Sequence, residues 1–172
     1  MERVMLIYHP VYDINHCIYR ILRFLEVSDR PSFGWEQLRL LDFYSLFPHL
    51  LKSIVPFPRE LRVYKKIISR IPDAYESMPN DKRVFHEMMP IQNTAIHNLI
   101  ARDLIKSERY AEQIITRSEI LLPGRLIEKI NDDPFIKEEW YLFLVNELHS
   151  INFDGKKGLK SRSDLMEYRY DG

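Results

Sequence analysis

The sequence predicts a mainly α chain with short β elements, an α+β fold arranged as a single compact winged-helix-like domain with additional helices. Three observations lead there. Apolar residues recur at three- and four-residue spacing along most of the chain, the mark of amphipathic helices. β-branched residues gather only in brief runs, and prolines punctuate at short intervals with no Gly/Ser-rich linker or repeat. The 172 residues, 45% hydrophobic and 29% charged, suit about one domain with a real core. Residues 1–151 are expected to form a mostly helical domain whose winged-helix-like region is about 80–123, and 152–172 a basic loop with a C-terminal tail or strand.

Val4 to Tyr8 read as an initial strand. Asp13 can cap a helix over about 14–27, where Ile14, Cys17, Ile18, Ile21, Leu22 and Leu25 align and Arg20, Arg23 and Glu26 take the other face. Ser28 to Gly34 read as a loop. From Trp35 to Phe47 two apolar stripes make a central helix, and Pro48 ends it or opens a further turn. After the break at Pro56 and Pro58, a third helix points Leu61, Tyr64, Ile68 and Ile71 inward. Asn80 or Asp81 caps a short helix, Pro90 separates it from the next, and Tyr110 to Leu122 suggests a small hairpin. That order, helix, turn, helix, hairpin, is the winged-helix signal. The last clear helix is expected to begin near Asp133-Pro134 and to align Ile136, Trp140, Phe143, Leu144 and Leu148.

Twenty-five basic residues balance 25 acidic ones, which argues against coating of nucleic acid by net charge. The balance is uneven along the chain. Arg59, Arg62, Lys65, Lys66 and Arg70 face only Glu60, a local +4, whereas residues 126–149 carry a local −4. Lys156, Lys157 and Lys160 add a second basic segment. These eight cations are the candidates for binding a partner or phosphate. Asp42, Phe43, Tyr44, Phe47 and Pro48 form a structural motif in which a buried carboxylate needs a partner such as Arg20 or Arg39.

Catalytic and cofactor motifs are not evident, and no catalytic residue, metal ligand, cofactor or small-molecule substrate is expected. His86-Glu87 begins like the zinc-protease HExxH, but Pro90 stands where the second histidine must be. His16 and Cys17 are helix neighbours and cannot face one another, so the lone cysteine reads as a buried thiol of a cytoplasmic protein. Neither a P-loop nor a dinucleotide fingerprint occurs, and Glu2 and Arg3 before a short apolar run do not make a secretory signal. No window has the roughly 20 apolar residues that span a bilayer, so no membrane is expected as a partner. A winged helix could read DNA through Ile91 to Lys106, which offers Gln92, Asn93, His97, Asn98, Arg102 and Lys106 but little net positive charge.

Tyr8-His9-Pro10, Asp13 with His16-Cys17 and Arg20, the block LRLLDFYSLFPHLL (38–51), GLK (158–160) and LMEYRY (165–170) resemble the middle-component proteins of bacterial ABC-three-component defence systems, the Lamassu-like operons. The resemblance implies a non-enzymatic adaptor with a winged-helix-like core. Its implied partners are an SMC- or RecN-like ABC ATPase and an effector, often a nuclease, with DNA as a possible contact within the complex. The alternative is a winged-helix, sequence-specific DNA-binding regulator.

Overall fold

The computed structural model describes residues 9–75, 78 and 80–166. The strand expected at 4–8, and all but Leu165 and Met166 of the expected 165–170 tail, lie outside the described residues. The fold is mainly helical with one small antiparallel sheet.

Helix α1 (Ile14–Val27) starts where the sequence says, with Asp13 Oδ1 accepting from the His16 amide at 2.7 Å. Its polar face is a correction at Arg23, whereas Arg20 meets the buried Asp42 that the sequence offers it as a partner. Arg20 and Arg23 are buried along with Cys17, Ile21, Leu22, Phe24 and Leu25, because each guanidinium finds a carboxylate inside the fold. The 28–34 loop ends in a short strand, β1 (Ser32–Gly34). Helix α2 (Trp35–Leu46) then buries ten of its residues, from Trp35 to Ser45, and packs on its C-terminal neighbours and on the later helix 139–146. It is the central helix that its two stripes predict.

Pro48 opens a 3-10 helix (Pro48–Ser53), where its missing N–H costs nothing. The third helix is mixed: Arg59–Tyr64 is 3-10, and only Lys65–Ser69, α3, is α-helical. Leu61, Ile68 and Ile71 are buried as expected, with Tyr64 half-buried. Asn80 caps α4 (Asp81–Glu87) through the Arg83 amide. Pro90 sits in the first turn of α5 (Met89–Ala101), so the expected break shrinks to Met88. Helix α5 lies along α1 and stops short of Lys106, because Asp103 turns left-handed (φ 57°) and the Leu104 amide closes on the Leu99 carbonyl.

The hairpin expected within 110–122 is replaced by a different pairing. After α6 (Ser107–Tyr110), strand β2 (Ile114–Thr116) pairs antiparallel with β1, placing Ile115 opposite Phe33, both buried. The chain's local return is a single bridge, Ile105 to Arg117, with α6 in between. Arg117 fixes that return by donating to the carbonyls of Leu104 and Ile120 while its Nε meets Glu26 at 2.7 Å.

Helix α7 (Gly124–Asn131) follows. The helix expected from Asp133 divides: Asp133 caps a 3-10 turn (Pro134–Lys137), extended Glu138 resets the backbone, and α8 (Glu139–Asn146) buries Tyr141, Phe143, Leu144 and Val145. The 152–160 stretch is a folded turn rather than an open loop. The Leu159 and Lys160 amides bond the carbonyls of Asn152 and Phe153, leading into α9 (Leu159–Ser163). One buried cluster runs from Val11 to Leu165.

Candidate interaction site

The Asp42 motif is the polar centre of the core. Arg20 grips the carboxylate with two donors, Nε to Oδ1 at 2.7 Å and Nη2 to Oδ2 at 3.0 Å, and Gln92 Nε2 adds a third at 2.9 Å. Gln92 Oε1 in turn accepts from Arg39 Nε at 2.9 Å, so α1, α2 and α5 meet in one hydrogen-bonded network. Arg20, Asp42 and Gln92 are at most 4% exposed. Burial works against the Arg20 charge, and Asp42 more than offsets it by charge and hydrogen bonding. Around the network, Phe43 packs on Tyr44, Phe47 and Phe85 with ring centroids 5.0–5.9 Å apart.

This centre is unsuited to nucleophilic chemistry. The Cys17 thiol is fully buried, and burial together with the neighbouring Asp42 pushes its pKa up, so thiolate is suppressed. His16 Nδ1 lies 2.7 Å from Arg20 Nη1 and serves as its acceptor. Among the described residues, no group of three or more His, Cys, Asp and Glu side chains is placed to hold a metal ion, and no helix is long and apolar enough to cross a membrane.

The residues with open surface chemistry lie elsewhere. Arg59, Arg62, Lys65, Lys66 and Arg70 are all exposed, and none makes an ion pair with a described carboxylate. They do not act as one stripe. The 3-10 turn puts Arg59, Arg62 and Lys65 in register at three-residue spacing. Arg62, Lys65 and Lys66 border a groove of about 950 Å³, which Arg59 and Arg70 do not line. The groove floor is apolar: buried Leu51 and Ile54 lie beneath exposed Val55 and half-buried Phe57, over whose ring the Lys65 ammonium sits at 5.7 Å.

The second basic segment folds against the back of the same turn. The Val55 amide donates to the Arg162 carbonyl at 3.1 Å, and Arg162 Nη1 donates to the Pro56 carbonyl. A smaller hollow of about 640 Å³ there joins Glu60 to Lys157 and Arg162. Lys156 is exposed nearby in sequence, while Lys160 is turned away and pairs with Glu36 at 3.4 Å.

The expected DNA-reading helix is differently disposed. Gln92 is buried in the Asp42 network, Lys106 is paired with Glu119 at 2.6 Å, and His97 and Arg102 remain exposed. The acidic stretch is likewise thinned. Asp133 bonds Arg23 at 2.7 Å and Tyr19 at 2.8 Å, which leaves Glu128, Asp132, Glu138 and Glu139 exposed. Burial alone would raise the Asp133 pKa, yet the bonds from Arg23, the Phe135 amide and Tyr19 hold it below the ordinary value.

The family described as ABC-three component (ABC-3C) system Middle Component 5 matches residues 6–171. The chain belongs to this family. The match covers both the buried Asp42 network and the basic groove, so each is part of what this middle component is built from. No match was found among curated proteins, nor among solved structures. Two features escape a reading of the middle component's sequence, the apolar groove floor at Val55 and Phe57 and the place of Arg162 in the smaller hollow. The floor's one signal is the apolar stretch Ile54 to Phe57, broken by Pro56 and closed by Pro58, with no periodicity to bury it.

Proposed function

We propose that this middle component is a cytoplasmic, non-enzymatic adaptor that links an SMC- or RecN-like ABC ATPase to an effector, often a nuclease, in a Lamassu-like anti-phage or anti-plasmid complex. The observation that carries the reading is membership of the family over residues 6–171. The geometry supports it. Arg20, Asp42 and Gln92 are spent on one another in the core, whereas Arg62, Lys65 and Lys66 stand beside exposed apolar surface with no described carboxylate to pair with, as residues of an interface do. The rival reading, a winged-helix regulator that binds a DNA sequence by itself, loses Gln92 and Lys106 to internal contacts.

Tagged chain co-expressed with each neighbouring gene product should retrieve the ATPase and the effector. Isolated chain should give no gel shift at about 150 mM salt, where phosphate-driven binding by a regulator would persist with a steep salt slope. Failure to retrieve either component, or a sequence-dependent shift by the chain alone, would overturn the adaptor reading.

A further inference from the structure

We propose that the groove between residues 51–57 and 62–69 is a docking site for an acidic segment of a partner component, one that sets an apolar side chain between carboxylates. The proposal rests on the adaptor reading and deepens it by naming the chemistry of one contact.

Two observations specify the occupant. The groove has an apolar floor that the described residues leave uncovered: Val55, which lines it, is 68% exposed. Its wall carries Arg62, Lys65 and Lys66 with no described carboxylate to neutralise them, whereas Lys52 is already tied to Asp73 at 2.8 Å. The complement of such a surface is negative charge around an apolar anchor. A DNA backbone would answer the cations but leave Val55 and Phe57 facing phosphate, whereas an acidic peptide answers both. Charge complementarity of this kind sets partner choice and encounter rate more than raw affinity. The unpaired rim therefore reads as the selector and the floor as the anchor.

The experiment uses the full chain co-expressed with the neighbouring ATPase and effector. A photo-crosslinking benzoylphenylalanine replaces Val55, and mass spectrometry identifies the attached segment. The expected product is a partner peptide with at least two Asp or Glu flanking an apolar residue. Arg62→Glu with Lys66→Glu should weaken retention of that partner by about 10- to 100-fold, whereas Arg62→Lys with Lys66→Arg retains it. Both sites are exposed and form no ion pair with a described residue, so the thermal midpoint of either double variant serves as the folding control. Cross-linking to DNA, to a second copy of this chain, or to a neutral or basic segment overturns the proposal, as does full retention after charge reversal. In those cases wild-type capture survives and so does the adaptor reading. Absence of wild-type capture overturns both.

Discussion

Replacing Asp42 by Ala removes the acceptor on which three helices converge. The carboxylate takes two charge-assisted bonds from Arg20 and one from Gln92, and its side chain is 3% exposed. Gln92 keeps the Arg39 carbonyl as an acceptor at 3.2 Å, and Arg20 Nη1 keeps His16, but Arg20 Nε and Nη2 are left buried without an anion. Breaking a buried pair from one side costs about 3–5 kcal/mol. For a domain of this size that is a fall in thermal midpoint of about 6–20 °C. Removing both charges, as Arg20→Met with Asp42→Leu, takes away the orphaned cation and should cost less than half of the single change. The assay is equilibrium urea unfolding of wild type and Asp42→Ala, and of Arg20→Met, Asp42→Leu and their double, the last three read with wild type as a cycle with coupling of at least about 2 kcal/mol. A loss below about 1 kcal/mol for Asp42→Ala, or additivity, would refute the view that this network is a mutually dependent unit.

Other outcomes follow from the same structure. A Cβ at Gly158 would overlap the carbonyl oxygens of Phe153 and Asp154, so Gly158→Ala should destabilise by about 2–3 kcal/mol in urea unfolding and expose the 152–160 turn to protease. Burial holds the His16 and His149 pKa values below the ordinary one, with nearby Arg20 and Arg30 adding to the effect. Both rings therefore stabilise the fold fully above about pH 6.5, and that contribution is lost as pH falls through their lower folded values. Thermal midpoints should drop between pH 7.5 and 5, and His16→Gln, which keeps an acceptor for Arg20, should flatten the drop. Cys17 should resist a thiol-specific reagent in the native protein and react at once in urea, since its thiol is buried and its pKa raised. Rapid native labelling would contradict the burial of Cys17 beside Asp42.

Much of this architecture is legible in the sequence, and the failures have physical causes. The 3.6-residue stripes of α1 and the double stripe of α2 place those helices correctly because apolar spacing is local information. Periodicity alone also puts Arg20 and Arg23 on the polar face, and only the need of a buried Asp42 for a partner points Arg20 inward. Periodicity sees a cation on the polar side but not the carboxylates, 22 and 110 residues away, that allow it inside. The sequence pairs β2 with its neighbours because hairpins are the short-range option, whereas its partner is β1, in a stretch whose only strand signal is Phe33. The five cations at 59–70 are all exposed, but their grouping depends on a 3-10 turn that α spacing cannot anticipate. The groove itself is a tertiary product, since its floor comes from a proline-bounded break and its rim from the following helical segment.

The adaptor account is tested most directly by asking whether the chain bridges its neighbours. Effector carrying an affinity tag is co-expressed with the ATPase, with and without this middle component, and ATPase in the eluate is quantified. The account predicts retrieval only when the middle component is present, and the groove proposal adds weakened retrieval with Arg62→Glu and Lys66→Glu. Equal recovery of the ATPase in its absence would contradict it.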